Sequence, residues 1–486
     1  MKYSNLEGDP GVTVQDDDGG NAAEEYGVAR SSLVSPLMGP SDSAEMGGVV
    51  GERNGAKNGG GLSYPSAMFV TVAVFSGYAA LVIYQHNLSG AMNLGKDNCD
   101  AAAKEKYAQF KHATSLNYVG NLIFRIAHNF VLAPLRPSQR VYFSLFSMMC
   151  SMSILGFGIV IGGLRSLAWV FLAYFLGGVA VGTFESNLLS VISPLGPATK
   201  VWAIVGMPVG FNLISIGGEA FLAIAKSAKF ESEDSLAAIY VFVVVMCVLG
   251  AIVFSFRIPK RPVKGNSLTF AEFKANMAEW RNWFPQIRRC ALALFFDMFC
   301  VSFFSGIMFY ILNDRNYVPL FGKLDGEKTL VSHDWFFAVY NLSTFLGDTI
   351  SRKIVYRIKP RNPLFFLIFS AVGAAMCLCR IPILAPLGAF LIFFGNGAVY
   401  GSTTRLIDST VDPKYNLIAL SVWLFLGDIG SVSGSNIWQA VQKVFCGDVK
   451  AVHMCVVSNS TCAPTHAPTF APSALSSASS MLRMMR

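Results

Sequence analysis

Long apolar segments, separated by short polar or charged breaks, run through most of the chain. A segment of about 20 apolar residues can cross the hydrocarbon core of a bilayer as a helix, and we count about eleven such segments. They lie near 63–84, 114–135, 141–163, 166–192, 201–225, 236–256, 291–312, 335–356, 363–384, 386–411 and 416–446. The pattern predicts an all-α polytopic membrane protein in which six helices, a polar break and five further helices follow one another.

The polar stretches divide the chain into five parts. Residues 1–62 are rich in Gly, Ser, Asp and Glu and lack apolar periodicity, so we expect a disordered cytoplasmic tail. An N-terminal six-helix bundle then covers 63–256, a basic cytoplasmic linker covers 257–289, and a C-terminal five-helix bundle covers 290–446. The remaining residues, 447–486, contain the run CAPTHAPTFAPSALSSASS, which is low-complexity sequence and predicts an external tail.

The positive charges between the apolar segments predict the orientation. Lys and Arg are dense in RPSQR at 136–140, in RIKPR at 357–361 and in the 257–289 linker. Because cytoplasmic loops carry an excess of Lys and Arg, these breaks and the N-terminus are expected inside and the C-terminus outside. The polar segment 85–112 is then predicted to be an external loop. We expect a multi-pass protein in a lipid bilayer, in the plasma membrane rather than an internal one.

Composition agrees with a membrane protein and excludes several other classes. Of 486 residues, 53% are hydrophobic and 14% are charged, and the mean hydropathy is +0.47. Soluble chains carry about 25% charged residues. The net charge of +8 is concentrated in the breaks between spans, where topology explains it, so we expect no nucleic-acid partner.

Motifs of enzymes, metal sites and cofactor sites are missing from the sequence. There is no phosphate-binding GxxxxGK[ST] run, no HExxH, no GxSxG and no His/Cys set at ligand spacing. We therefore predict that the chain is not an enzyme and has neither a metal nor a cofactor. Four cysteines fall in segments predicted to be external, where disulfides form, but the sequence does not reveal their pairing: Cys99, Cys446, Cys455 and Cys462.

Two opposite charges inside the segment 335–356 are the first candidates for function. Asp348 and Arg352 are four residues apart, so they lie on one face of a helix, close enough to pair. An unpaired charge in hydrocarbon costs several kcal/mol, which favours a pair that faces the bundle interior. The alternatives are a pair that only holds two helices together, or an Arg352 that reaches the cytoplasmic surface beside Lys353 and Arg357.

Glu185 is the second candidate, because it lies deep in the segment 166–192 within the run GTFESNLLSVISPLG. A carboxylate at that depth accepts hydrogen bonds from a solute or binds and releases a proton, so Glu185 is also a candidate for proton coupling. The alternative is a neutral Glu185 bonded to a neighbouring helix. Other polar groups inside spans are Arg125, His128, Asn129, Asn187, Asn212, Glu219, Asp297, Arg405, Asp408 and Asp428.

Several short runs resemble the equilibrative nucleoside transporter family. GDTISR, which ends at Arg352, is similar to that family's eighth-helix signature, in which an Arg follows an Asp by four residues. FFGNG, which contains Asn396, resembles the Asn-Gly of its tenth helix. The family's first helix ends in Pro-Trp-Asn, and the corresponding IYQHN here aligns only Asn87. Glu185 falls where the family often presents a Gln that contacts the base.

This resemblance implies a fold like that of the major facilitator superfamily, in which two helical bundles rock around a midplane site. It also implies that Asp348 and Arg352 bind the ribose hydroxyls and that Glu185 contacts the base, with Asn187, Asn87 and Asn396 as further substrate-binding residues. The expected partner is a small-molecule solute, a nucleoside or nucleobase, moved by alternating access that is either facilitated or proton-coupled.

Two alternatives to nucleoside transport remain open at this stage. One is a transporter of the same architecture for another small polar solute, such as a sugar, an organic acid or an amino acid. The other is a non-transporting membrane protein with a related bundle. The sequence does not reveal the oligomeric state.

Overall fold

Helices form nearly all of the regular structure in the described part of the chain. The structure is a computed structural model, and it describes residues 63–94, 101–228, 230, 232–260, 270–312, 317–321, 330–379 and 381–447. Several predictions concern positions outside these residues: the tail at 1–62, the tail beyond Gly447, part of the linker, and Cys99, Cys455, Cys462 and the side chain of Cys446.

The helices are numbered in chain order. In the first half they are α1 Ser66–Ile83, α2 Gln85–Ala91, α3 Ala101–Val131, α4 Pro137–Ser153, α5 Leu167–Ile192, α6 Pro197–Asn212, α7 Glu219–Ser227 and α8 Ser232–Arg257. In the second half they are α9 Phe270–Ala278, α10 Trp280–Leu312, α11 His333–Ile358, α12 Leu367–Leu378, α13 Leu384–Thr410 and α14 Asn416–Gly447. Two short antiparallel strands, β1 Tyr317–Pro319 and β2 Leu330–Ser332, precede α11.

Length and hydropathy mark many of these helices as membrane spans. Among the described residues, seven helices are long and apolar enough to cross a membrane. They include α1, α5, α8, α13 and the first part of α14. Three other long helices, α3, α10 and α11, have 31, 33 and 26 residues and carry charged side chains along their length. The all-α membrane fold is therefore confirmed, while the count of eleven spans stays a prediction.

The largest differences from the sequence prediction lie in the polar breaks. The segment 85–112, predicted to be an external loop, contains α2 and the first twelve residues of α3. The run AAAKEKYAQFKH is rich in Ala, Lys, Glu and Gln, which favour helix even when they are exposed to water. The predicted linker likewise contains α9 and the start of α10. Hydropathy locates the apolar part of a helix and misses a polar extension of the same helix.

The predicted span 363–384 is shorter in the structure. A 3₁₀ turn at Pro363–Phe366 leads into α12, which ends at Leu378. Pro382 follows shortly after, and a proline disfavours helical conformation in the residue before it. The helix therefore stops early, and α13 begins at Leu384.

Helix packing divides the described chain into two halves with a smaller contact between them. In the first half α5 packs on α3 and α4, while α1 packs on α6 and α8. In the second half α10 packs on α14, α12 and α13, while α11 and α12 pack on α13. The halves meet where α14 contacts α3 and α5 and where α6 contacts α11 and α13.

Glycine allows the close approach of α6 to α1. A Cβ atom at Gly206 would lie 2.6 Å from the Met68 carbonyl oxygen, and one at Gly210 would lie 2.7 Å from that of Val72. Only a residue without a side chain fits at such a distance, as is common where membrane helices cross. The four-residue spacing places both glycines on the same face of α6, toward α1.

Candidate functional site

Asp348 and Arg352 form a two-point ion pair within α11. The Arg352 Nε donates to Asp348 Oδ1 at 2.7 Å and its Nη2 donates to Oδ2 at 3.1 Å. Both residues are buried, with 8% and 4% of their surfaces exposed. The i, i+4 spacing brings the two groups together on one face, and the parallel hydrogen bonds fix the guanidinium plane. Arg352 therefore does not extend to the cytoplasmic surface, which was one of the alternatives.

The remaining nitrogen of Arg352 reaches the other half of the molecule. Its Nη1 donates to the Ile204 carbonyl oxygen of α6 at 2.9 Å and contacts the Met207 sulfur at 3.5 Å. Ile204 precedes Pro208 by four residues, and a proline has no N–H to bond a carbonyl in that position. The Ile204 carbonyl is therefore free to accept from Arg352, which links α11 to α6.

Tyr400 of α13 connects this pair to Glu185 of α5. The guanidinium carbon of Arg352 lies 4.5 Å from the centre of the Tyr400 ring, in cation–π geometry. The Tyr400 hydroxyl donates to Glu185 Oε1 at 2.8 Å. One aromatic residue therefore contacts a cation through its face and an anion through its hydroxyl, and it joins the two halves.

Glu185 in turn pairs with Arg125 of α3, which also binds Asp428 of α14. The Arg125 Nη1 forms an ion pair with Glu185 Oε2, and its Nε donates to Asp428 Oδ2 at 2.7 Å. Asn121 donates to the same Asp428 oxygen at 3.3 Å. Arg125 and Glu185 are 5% and 4% exposed, so these charges are withdrawn from bulk water and compensate one another.

We call the resulting chain of contacts the buried charge network. It contains three carboxylates, two guanidiniums and the Tyr400 ring: Asp348, Arg352, Tyr400, Glu185, Arg125 and Asp428. Five helices contribute to it, and it crosses the contact between the halves at Arg352–Ile204, Tyr400–Glu185 and Arg125–Asp428. With every group ionised, the carboxylates exceed the guanidiniums by one.

The other predicted site residues lie at different distances from this network. Asn187 is buried one turn from Thr183, whose carbonyl accepts from its Nδ2 at 2.6 Å, and the Asn187 Oδ1 has no partner among the described residues. Asn396 is 9% exposed on α13, beside Gly397, which packs against Asp348. Asn87 is exposed on α2, which follows the end of α1 at Ile83, and it lies outside the network.

In the sequence, Arg125 and Asp428 stand out as charges inside spans but cannot be assigned to a site, and Tyr400 does not stand out at all. The signal for the two charged residues was present, since each needs a partner in a bilayer. Their partners are 60 and 303 positions away in the sequence, so spacing does not identify them.

A second cluster of buried polar groups joins the halves where α6 approaches α13. Lys200 of α6 forms an ion pair with Asp408 of α13, which also accepts from Ser193 at 3.1 Å and from Asn416 at 2.9 Å. Lys200 is 1% exposed. Asp408, one of the charges inside the predicted spans, therefore lies in a contact between the two halves.

Outside the membrane spans, α9 also touches both halves. Phe273 of α9 packs on Phe130 of α3, with ring centres 4.8 Å apart, while Asn276 donates to the Lys414 carbonyl at 3.3 Å. The Tyr415 hydroxyl donates to Glu279 just after α9, and this bond holds the pKa of that carboxyl below its ordinary value. The described residues contain no group of three His, Cys, Asp or Glu side chains arranged to hold a metal.

Comparisons with known proteins agree with this architecture. The Major Facilitator Superfamily model matches residues 106–435, more than half of the chain. No curated protein sequence matches the chain.

Solved transporter structures share the fold at low sequence identity. The transporter FucP in its outward conformation aligns with a TM-score of 0.56 at 14% identity, over 78% of this chain and 91% of that one. The proton:xylose symporter XylE gives 0.56 at 11% identity, over 79% and 89%. The human organic anion transporter MFSD10 gives 0.53 at 14% identity, over 77% and 94%. The helical halves and the extent of the family match together show that this chain belongs to the Major Facilitator Superfamily of membrane transporters.

Proposed function

We propose that the chain moves a nucleoside or nucleobase across a membrane, by alternating access around the buried charge network. The main evidence is that Arg352, held by Asp348, contacts Ile204 of the opposite half and stacks on Tyr400. Charged groups at the contact between two bundles are typical of solute pathways in transporters. The similarity of GDTISR and FFGNG to the equilibrative nucleoside transporter family supports the choice of solute.

Separation of the halves creates the need for a polar solute. It would break Arg352–Ile204, Tyr400–Glu185 and Arg125–Asp428, and would leave their donors and acceptors without partners. An unpartnered buried polar group costs about 1–3 kcal/mol, and a charged one costs more. A solute with several hydroxyl and amino groups offsets this cost by replacing the lost bonds. Binding would thus shift the protein between conformations through differential contacts.

The chemistry of a nucleoside suits the groups in the network. Asp348 would accept from ribose hydroxyls while Arg352 donates to them, because the pair combines an acceptor with a donor fork. Glu185 would accept from an amino group of the base, and the Tyr400 ring offers a face for stacking. Asn187 and Asn396 would add amide contacts to the solute from α5 and α13. Asn87 would contact the solute from α2, although it lies outside the buried charge network.

Uptake of labelled adenosine and uridine into cells deficient in nucleoside transport tests the proposal. We expect uptake by the wild type and at least about a tenfold loss in Asp348→Asn and Arg352→Gln, at equal surface expression. Arg357→Gln is the matched control, since Arg357 is exposed on the same helix. Uptake at the wild-type level by both pair variants would contradict the proposal that Asp348 and Arg352 bind the solute. Surface biotinylation in the same cells tests our proposal of a plasma-membrane location.

A second candidate is transport of a sugar or an organic acid. It is favoured by the described neighbours, whose names refer to xylose and organic anions. A carboxylate–guanidinium pair also binds sugar hydroxyls, so the geometry does not separate the two solutes. Thermal-shift screening of the purified protein against nucleosides, bases, sugars and organic acids distinguishes them. Stabilisation by sugars alone would reject the nucleoside proposal and keep the network as the binding site.

A further inference from the structure

Asp297 of α10 differs from the carboxylates of the network because no Lys or Arg side chain among the described residues forms an ion pair with it. Its side chain is fully buried, and the Ser370 hydroxyl of α12 donates to Oδ1 at 3.0 Å. The other oxygen, Oδ2, is buried without a hydrogen-bond partner in the part of the chain that the structure describes. Glu185, Asp348 and Asp428, in contrast, each contact a guanidinium.

The helices around Asp297 offer little compensating charge. The helix α12, as described, contains no charged residue. Its Cys377 lies near Cys300 of α10, and the Cys300 thiol contacts the Ser370 carbonyl oxygen at 3.7 Å. On α14, Asp428 is occupied by Arg125. The charged residues of α13 are Arg405 and Asp408, with Asp408 held by Lys200, and Tyr400 is bound to Glu185. Among the described residues, Asp348 and Arg352 also act electrostatically on Asp297, and these two side chains are paired with each other.

A carboxylate with one hydrogen bond and no cation is costly in such a place. The group avoids that cost by taking up a proton, because a neutral acid needs far less solvation. Glu185 is placed differently, since the Arg125 guanidinium pairs with its Oε2 and the Tyr400 hydroxyl donates to its Oε1. The geometry therefore separates a carboxyl that contacts a guanidinium from Asp297, whose one hydrogen-bond partner among the described residues is a hydroxyl.

A packing contact connects Asp297 to the proposed solute site. On α13, Gly395 packs against Ser370, the partner of Asp297, and Gly397 packs against Asp348 and Ser351. Two positions apart on one helix, these glycines touch the hydrogen-bond partner of Asp297 and the carboxylate of the Asp348–Arg352 pair. Any shift of α13 that accompanies solute binding therefore alters the surroundings of Asp297.

We propose that Asp297 is a proton-binding site, and that it couples solute movement to a proton gradient. The carboxyl holds its proton as the neutral acid in the packed arrangement seen here. When α13 moves and water reaches the α10–α12 contact, the O–H bond breaks, the proton passes to water and the carboxylate remains. The coupling rests on the proposed transport function, whereas proton binding itself does not.

Infrared spectroscopy of the purified protein in lipid tests proton binding without any solute. We expect a carbonyl stretch of a protonated carboxyl at neutral pH in the wild type and in Asp234→Asn, which removes an exposed acid at the start of α8. Asp297→Asn should lose that band while it elutes and melts like the wild type, since Asn resembles the neutral acid in shape. An unchanged band in Asp297→Asn, or no such band in the wild type, would overturn the assignment.

Reconstituted vesicles test the coupling. An inside-alkaline gradient should drive accumulation of labelled nucleoside by the wild type, whereas Asp297→Asn should keep solute counterflow and lose the accumulation. Accumulation by the variant, counterflow lost together with accumulation, or a wild type whose flux ignores the gradient would each reject coupling through Asp297. If the wild type carries no nucleoside at all, the proposed function fails, and the infrared result still decides the proton site.

Discussion

Arg352 makes the contacts on which the account depends most, and Asp348 determines what happens when it is changed. Arg352→Ala leaves a buried carboxylate with no cation, which costs about 3–5 kcal/mol. The double variant Asp348→Asn with Arg352→Gln removes both charges and should melt closer to the wild type than either single variant. Thermal melting of the purified proteins measures this. Additive losses in the double variant would show that the two side chains do not stabilise each other.

Tyr400 has two separable contacts, so two substitutions distinguish them. Tyr400→Phe keeps the ring over Arg352 and removes the donor to Glu185, and we expect a loss of about 1–3 kcal/mol in solute affinity. Tyr400→Leu removes both contacts and should bind more weakly still. Tyr356→Phe is the control, because the Tyr356 hydroxyl contacts only Thr404, at 3.4 Å, among the described residues. Equal affinity in Tyr400→Phe and the wild type would contradict the bridging role of the hydroxyl.

For single residues, the sequence predicts contacts between side chains one helical turn apart and misses contacts between residues far apart in the chain. Asp348 and Arg352 are a helical turn apart, so their contact follows from the spacing. Arg125 and Asp428 are just as unusual in an apolar segment, but their contact depends on how α3 and α14 pack. Tyr400 gives no sequence signal, because tyrosine is common in membrane helices and its two partners come from other helices.

Between whole helices, close contacts depend on residues without side chains, as the packing of α14 on α10 shows. Cβ atoms at Gly430 and Gly434 would overlap the Phe295 and Phe299 carbonyl oxygens of α10. Gly430→Ala and Gly434→Ala should each destabilise the protein by about 1–3 kcal/mol, because the backbones must separate. Gly90→Ala is the matched control, since nothing lies within 4 Å of its added carbon. Melting temperatures measure the difference, and a Gly430→Ala that melts with the control would contradict this packing.

The elements themselves are predicted well where hydrophobicity defines them and poorly at their ends. The apolar part of α5, α8 and α13 follows from composition. The polar first turns of α3 and α10 do not, because helix-forming polar residues look the same in a loop and in an exposed helix. The early end of α12 follows from Pro382, and the next residue, Ile383, donates its N–H to the carbonyl oxygen of Leu320, just after β1, at 3.0 Å.

At the scale of the whole described chain there are two helical halves, and their contact includes the Lys200–Asp408 pair. Breaking that pair should weaken the contact between α6 and α13, because the charge that remains is no longer compensated. Spin labels at Ala198→Cys and Thr410→Cys, both exposed near the pair, would report the distance between the ends of α6 and α13. We expect longer distances to become more populated in Lys200→Gln. The same distance distribution with and without Lys200 would contradict a role in holding the halves together.

The two-half organisation is anticipated by the sequence, whereas the solute is not. Alternation of apolar and basic segments predicts the bundles and the break between them. The identity of the solute depends on the relative positions of donors and acceptors from five helices, and their sequence separations carry no such information.

Equilibrium binding of labelled adenosine and uridine to the purified protein tests most directly whether the buried charge network is a solute site. We expect saturable binding to the wild type and to Arg357→Gln, and binding at least about tenfold weaker to Arg352→Gln. Binding of equal affinity to Arg352→Gln and the wild type would contradict this expectation.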